Sequence, residues 1–291
     1  MTSERIYIIG GTGNVGSAAV NELLKHKIPV TLYARSQAKV QALFNNQDLL
    51  TVIQGDYADL KPFEDSIAGH TRLFLLVSDL QNLVKIKTSI AEKAYAAGVK
   101  QIVHISSSSV SAPWRTNFIG TVHRNSEEGI LAIPNRAAYV ALRPSRFMSN
   151  QNVFEAHGIK YANIISDTVG PDHPQEFISP NDIGLAAANI LRDAVEKHGD
   201  AVYELIGDVL RPKDRAALLT KVLGREINYV KITAEEKYKI LTEKAGLPHR
   251  MAYDLTGFVE ADPHVTPGLS IILGRQPETL EQYTEAKSAL L

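Results

Sequence analysis

The sequence predicts an α/β fold: a doubly wound parallel sheet with a small α/β lobe toward the C-terminus. Three observations predict it. Short apolar bursts alternate with helix-like segments from Arg5 to Leu142, the pattern of consecutive βαβ units. The bursts are continuous apolar runs, as expected of parallel strands covered on both faces. Three glycines, Gly10, Gly13 and Gly16, stand at a spacing of three between the first burst and the first helix.

The elements follow in order. Arg5 to Ile9 is a strand stopped by Gly10-Gly11, and Val15 to His26 is a helix whose apolar positions Val15, Ala18, Ala19 and Leu23 share a face. Pro29 separates it from a strand at Val30 to Tyr33. A helix at Ser36 to Phe44, a strand at Leu50 to Gln54 and a helix at Leu60 to Ile67 come next. Arg72 to Val77 is the fourth strand, and Leu83 to Ala97 is a long helix with Gly98 as its stop. Gln101 to Ser106, Thr121 to Leu131 and Ala138 to Leu142 complete the regular part as strand, helix and strand. Beyond it, Ile164 to Asp167 is expected to extend the sheet, and Asn181-Asp182 to cap a helix at Ile183 to Arg192. Ala201 to Ile206 and Asn228 to Val230 read as strands. Pro212 to Leu223, Ala234 to Ala245 and Pro277 to Ala289 read as helices, and the stretch around Pro248 to Phe258 as loop.

Composition narrows the function classes. The 31 Lys and Arg against 32 Asp and Glu leave a net charge of -1, with no basic block to hold nucleic acid or an acidic membrane. The absence of cysteine removes disulfides, thiolate catalysis and cysteine-held metal. The nine histidines form no ligand-like spacing, so no metal site is expected. The opening MTSERIYIIGG lacks the basic and apolar parts of a secretion signal, and no apolar run has membrane-spanning length. A soluble cytoplasmic protein without membrane or nucleic-acid partners is expected.

Gly10-Gly11-Thr12-Gly13-Asn14-Val15-Gly16 follows a strand and opens a helix, the context required of the dinucleotide fingerprint of a Rossmann domain. The first glycine permits the tight turn, the second lets the backbone approach a pyrophosphate, and the third lets the helix pack on the sheet. The helix N-terminus then supplies N–H groups to the phosphates. No Gly-Lys-Ser/Thr ending follows, so this is not a nucleoside-triphosphate loop.

The end of the second strand selects the cofactor. An NAD site places Asp or Glu there for the ribose 2′-OH. This chain has Tyr33-Ala34-Arg35-Ser36, with Lys39 just beyond. Arginine attracts a 2′-phosphate that an acid would repel, so NADPH is predicted. Asp56 and Tyr57 follow the third strand, where Asp56 either accepts the adenine amino group, with Tyr57 packed beside the ring, or simply forms a turn. Val77-Ser78 and Ser106-Ser107 end the fourth and fifth strands and are expected beside the ribose and nicotinamide, since ligands bind at the carboxyl ends of such strands. The chain is thus read as an NADP-binding core over residues 1–155, a continuation of its sheet and helices over 156–208, and a smaller lobe on the substrate side over 209–291.

With these residues in hand the sequence resembles the NmrA-like group of atypical short-chain dehydrogenase/reductases. The resemblance rests on the glycine motif, Arg35, Gly55-Asp56-Tyr57, and Leu142-Arg143-Pro144 with Phe147, Met148 and Asn150. Ile178 to Gly184, and Val222-Leu223-Gly224-Arg225 with Ile227 and Tyr229, extend it over most of the chain. It implies an NADPH-dependent reductase passing hydride to a quinone, enone or imine. A second activity in the group, a redox sensor that binds dinucleotide and regulates a protein partner, stays open, as does a homodimer.

Related reductases carry Tyr-x-x-x-Lys after the fifth strand; here the matching pair is His123 and Glu127. Two roles are open to His123, as a proton donor near the cleft or as a group that orients the cofactor or caps its helix. Ser107 belongs to the same candidate catalytic set. A Ser107–His123 hydrolase is excluded by the missing Gly-x-Ser-x-Gly elbow. Trp114, the only tryptophan, either stacks on a planar acceptor or packs in the core. Phe147 and Phe154 are further pocket candidates, and Tyr253 and Phe258 are expected to line a pocket wall built by the lobe.

Overall fold

The computed structural model describes residues 5–45, 47–257 and 262–291. Seven strands form the main sheet: β1 (Ile6–Ile9), β2 (Val30–Ala34), β3 (Leu50–Gln54), β4 (Arg72–Leu75), β5 (Gln101–Ile105), β6 (Ala138–Pro144) and, later in the chain, Val202–Leu205. All their pairings are parallel. β1 lies between β4 and β2, β3 follows β2, and β5, β6 and Val202–Leu205 extend the other side. The chain therefore reverses direction across the sheet beside β1, and that switch opens a crevice at the strands' carboxyl ends.

Helices cover both faces. α1 (Asn14–Lys25), α2 (Gln37–Leu43), α3 (Lys61–Ile67), α4 (Leu83–Ala96) and α5 (Phe118–Leu131) cross between strands, and α6 (Pro180–Arg192) returns against α1. One face buries Leu23, Leu32, Phe74, Ile183 and Ile190 in a common core. The other buries Phe63, Leu73, Ile90, Ile102 and Ile130. Alternate residues of β1 enter different cores, Ile6 and Ile8 the first and Tyr7 and Ile9 the second, as pleating requires. This is why β1 reads as an unbroken apolar run.

The remaining strands are β7 (Arg146–Phe147), β8 (Ile164–Asp167), β9 (Gln175–Ile178), then β10 for Val202–Leu205, β11 (Asp208–Leu210) and β12 (Asn228–Lys231). β8 does not extend the main sheet as the sequence suggested. It pairs in parallel with β12, because Ile165 belongs to a separate lobe core with Ile159, Leu219 and Ile227. The later helices are α8 (Pro212–Leu223), α9 (Ala234–Lys239), α10 (His249–Gly257), α11 (Leu269–Leu273) and α12 (Leu280–Lys287), with the short α7 (Val195–His198) preceding β10; α11 packs on α6, with Leu269 and Leu273 in the first core. Gly224, at φ +66°, ends α8 in the left-handed conformation.

Three further expectations are corrected. Ser179 caps α6, its hydroxyl accepting from Asn181 N. Asp182 is instead engaged by Arg275 at 2.6 Å and by the backbone N of Glu278 at 2.7 Å. α5 begins three residues before the expected Thr121, because Asn117 accepts from Gly120 N at 2.7 Å. Most of the stretch read as loop from Pro248 is α10. Its stability comes from docking: Asp254 accepts from the backbone N of Phe118, and Arg250 lies 4.3 Å from the centre of the Phe118 ring.

Candidate active site

The glycine turn is built as its residue types demand. Gly10 has φ +85°, and a Cβ there would lie 2.4 Å from the Leu76 carbonyl oxygen. A Cβ on Gly16 would lie 2.2 Å from the Gly10 carbonyl oxygen. Gly13 differs: the nearest atom to an added Cβ is 4.0 Å away. It faces open space at the N-terminus of α1, where no side chain caps the helix. Thr12 and Asn14 are accessible beside it, whereas Val15 turns into the core. Helix N–H groups without a side-chain cap, behind a backbone stripped of side chains, are a surface that can receive an anionic group.

Arg35 and Lys39 are exposed just beyond β2, and among the described residues no carboxylate pairs with the Arg35 guanidinium. Ser36 between them caps α2. Asp56 does form the turn that was one of its two readings, its Oδ1 accepting from Ala58 N at 2.8 Å. The Tyr33 hydroxyl donates to the Asp56 carbonyl at 2.8 Å. Tyr57 is half-buried against the second core. Val77 is buried two residues past β4, and Ser78 is exposed after it.

Beneath the ends of β5 and β6 lies a buried polar network. Ser106 donates to Glu127 at 2.5 Å, and Arg143 holds the same carboxylate through two bonds of 3.1 and 2.6 Å. Behind it, Lys87 donates to the Ile105 carbonyl at 2.8 Å and is hydrogen-bonded to His104, whose other ring nitrogen meets the Tyr139 hydroxyl. His123 stacks on His104 with ring centres 6.4 Å apart, and its Nδ1 is buried without a hydrogen bond. Burial pushes Lys87 well below its usual value. Burial first, and the Lys87 charge second, push His104 and His123 well below 6.5.

Both rings are therefore neutral in the fold and charge on unfolding. Histidines with depressed folded values contribute full stability above pH 6.5, and this is lost as pH falls below it. Two such groups are expected to cost about 4 kcal/mol between pH 7.5 and 5, at ~1.4 kcal/mol per proton and pH unit. Urea melts across that range test this, and a flat profile would rule out neutral burial of the pair.

A cleft of about 1140 Å³ opens where β5 and β10 end. Its core-side wall is Ser108, Ser109, Ala112, Pro113 and Ile206; its lobe-side wall includes Tyr238 on α9 and Tyr253 on α10. α5 positions the core side: a Cβ on Gly120 would lie 2.1 Å from the Ser109 carbonyl oxygen, and Arg124 donates to the Ala112 carbonyl at 2.7 Å.

Several sequence candidates do not face this cleft. Trp114, 57% exposed, neither lines it nor packs in the core; Arg124 lies 5.8 Å from its ring centre. The loop that carries it is pinned through its backbone, which leaves the indole on the outside. Ser107 spends its hydroxyl on Ser109 N at 3.2 Å. His123 is buried below the edge, Phe147 packs against the first core, and half-buried Phe154 is also absent from the lining. Tyr253, 68% exposed, does line the cleft. Phe258 lies outside the described residues. The acidic lining residues Glu204, Glu235, Glu243 and Asp254 went unread in the sequence, since they come from segments that converge only in the fold.

Among the described residues, no group of histidines and carboxylates could hold a metal ion, and no helix is long and apolar enough to cross a membrane. A family model described as the NmrA-like family matches residues 2–287. The chain is 26% identical over 249 residues to (4-alkanoyl-5-oxo-2,5-dihydrofuran-3-yl)methyl phosphate reductase of Streptomyces griseus, covering 85% of this chain and 84% of that protein. It is 24% identical over 290 residues to the NAD(P)H azoreductase of Xenophilus azovorans, covering 98% of each. The structure of an NADPH-dependent quinone oxidoreductase from Escherichia coli, complexed with NADPH, matches with a TM-score of 0.82 at 25% identity, over 97% of this chain and 99% of that one.

Proposed function

The chain belongs to the NmrA-like family, and from that premise we propose that it is an NADPH-dependent reductase that passes hydride to a small conjugated electrophile, a quinone, enone or imine. The observation that carries the reading is the pairing of two spaces on one sheet edge. The open face of Gly13 at α1 is the cofactor cradle, and the cleft between core and lobe is the acceptor space. The relatives named above, a dihydrofuranylmethyl phosphate reductase, an NAD(P)H azoreductase and an NADPH-dependent quinone oxidoreductase, support reduction of small organic molecules, the last two with a nicotinamide cofactor.

When bound, NADPH supplies the hydride. The protein's part is binding and placement. Helix α1 receives the pyrophosphate, and Arg35 with Lys39 receives the 2′-phosphate. Val77, Ser78 and Ser106 border the ribose and nicotinamide. The lobe closes the acceptor side with Tyr253. The burial of His123 speaks against its donating a proton, and Asn117 rather than His123 caps α5; His123 stacks on His104 beneath the site. Glu127 is held there by Ser106 and Arg143.

The test is NADPH oxidation, followed by absorbance with a panel of quinones, enones and cyclic imines. Arg35→Ser should weaken NADPH roughly 10- to 100-fold, the worth of a charge-assisted hydrogen bond or two, and leave NADH nearly unchanged. A variant that lost both cofactors equally would remove Arg35 from 2′-phosphate recognition. The buried Ser106–Glu127–Arg143 network, where relatives carry a proton-donating pair, favours a second reading, a dinucleotide-binding sensor with a protein partner. Tight NADPH binding without turnover of any panel member would decide for it.

A further inference from the structure

We infer that His264 is the proton donor of the cleft, passing a proton from Nε2 to the acceptor oxygen that turns anionic when a quinone or enone gains hydride. The inference rests on the reductase reading above and names the residue that completes its step. Hydride alone leaves such an acceptor as an oxyanion, so a donor placed in the cleft speeds its reduction. His123 is buried and does not line the cleft. The Tyr238 hydroxyl is engaged with His249 Nδ1 at 2.8 Å. Among the described residues, His264 is the one histidine in the lining.

The fold places and orients this ring. Its segment is clasped to the end of β10: Thr266 N donates to the Ile206 carbonyl at 3.0 Å, and Ile206 N donates to the Thr266 hydroxyl at 3.2 Å. Two residues before the clasp, His264 Nδ1 lies 2.8 Å from the Asp262 carbonyl oxygen. A carbonyl only accepts, so Nδ1 carries a hydrogen in both charge states and Nε2 is the nitrogen that gains and loses the proton. Among the described residues, nothing hydrogen-bonds Nε2.

The surroundings favour the loaded ring. Asp262 on its own segment, Glu176 of β9 and Glu204 of β10 face it. Glu204 also accepts from the Ser111 hydroxyl at 3.4 Å, which joins it to the turn after β5. Glu235, Glu243, Asp254 and Lys239 stand elsewhere in the lining. The Asp262 carbonyl first, and then the charges of Asp262, Glu176 and Glu204, raise the His264 pKa above 6.5. A histidine so placed is cationic in a large share of molecules at neutral pH, and its exposure lets water recharge it.

The step balances. When an enone gains hydride at its β-carbon, the C=C pair shifts and the carbonyl oxygen takes the negative charge. The Nε2–H bond of His264 breaks, its proton forms the new O–H bond, and the electron pair stays on a ring that is now neutral. The enol becomes the ketone in water, and His264 regains a proton from solvent. Each turnover consumes one NADPH and one proton.

The experiment follows NADPH oxidation with 2-cyclohexen-1-one and 1,4-naphthoquinone across pH 5.5 to 9. kcat should be level in acid and fall as pH rises through the His264 pKa, because the charged ring is the working form. His264→Gln should lower kcat with the enone roughly a hundredfold, abolish the pH limb and leave NADPH affinity unchanged. Added imidazole should restore turnover to His264→Ala. Proton NMR of the cofactor-free protein gives a readout without turnover. The ring signal absent from His264→Gln should titrate with a midpoint above 6.5, and Glu204→Gln should lower that midpoint together with the kinetic limb. If His264→Gln keeps its kcat and pH limb, or if Tyr253→Phe or Lys239→Met removes the limb instead, another group gives the proton and the inference is overturned. If only the cyclic imines of the panel are reduced, no oxyanion forms; the reductase reading stands and the inference is overturned. If no acceptor is reduced while NADPH binds, the reductase reading itself falls and takes this inference with it.

Discussion

Gly13→Val is expected to weaken NADPH binding about a hundredfold or more while leaving the cofactor-free protein's melting temperature within about 2 °C. The backbone at Gly13 has φ -93° and ψ 176°, an extended conformation open to any residue. An added Cβ meets nothing closer than 4.0 Å. The folded protein therefore tolerates valine, and the branched side chain enters the space where a pyrophosphate must approach the α1 N–H groups. Gly16→Ala should behave in the opposite way. Its Cβ would lie 2.2 Å from one backbone oxygen and 2.6 Å from the Gly11 Cα, and neither can swing aside as a side chain can. That variant should lose about 3 kcal/mol or more of stability, and cofactor affinity with it. Calorimetric titration and thermal melts of both proteins separate the two outcomes. Equal NADPH affinity in wild type and Gly13→Val would place the phosphates elsewhere.

Asp167→Asn should destabilise the fold by about 3–5 kcal/mol, the scale for breaking a buried ion pair. Asp167 ends β8 and is buried. Its carboxylate accepts from Lys237 at 2.6 Å, from Gln175 at 2.9 Å and from Arg146 at 3.3 Å, so it ties α9 of the lobe to β7 and β9. Burial works against its charge, but Lys237 and Arg146 prevail and hold its carboxyl below the ordinary range. The contribution is therefore present above pH about 4 and lost only in stronger acid. An amide of the same shape leaves Lys237 and Arg146 without their shared anion. A fall of roughly 10 °C in melting temperature follows for a chain of this size. Asp172→Asn is the comparison, since the Asp172–Lys213 pair is exposed and should change stability by less than about 1 kcal/mol. Equal effects in the two variants would mean that Asp167 does not brace the lobe.

The glycine turn was legible because its requirements are local. Gly10, Gly13 and Gly16 each answer a steric demand within one strand–turn–helix unit, and Arg35 sits at a position set by the length of β2. The acceptor half was not. Trp114 drew attention as a lone aromatic in a loop, yet the Arg124 bonds to the Val110 and Ala112 carbonyls fix that loop with the indole outward. His123 stood where related reductases place a proton donor, but its surroundings include Lys87 of α4 and His104 of β5, so sequence spacing along α5 could not reveal its burial. Tyr253, expected on a pocket wall built by the lobe, does line the cleft, but from a helix where a loop was expected, one that docks on α5.

By itself the sequence determined the α/β class, the strands and helices of the main sheet, and the dinucleotide turn. Continuous strand burial, helical periodicity and the steric needs of glycine act over a few residues. Only the tertiary structure decided that β8 pairs with β12 outside the main sheet, that Ser106, Glu127 and Arg143 form one buried network, and that five carboxylates converge on the cleft. Each of these joins segments tens of residues apart. A separate apolar core brings β8 to β12, and the packing of α5 beside β5 and β6 brings the network together; no local pattern encodes either.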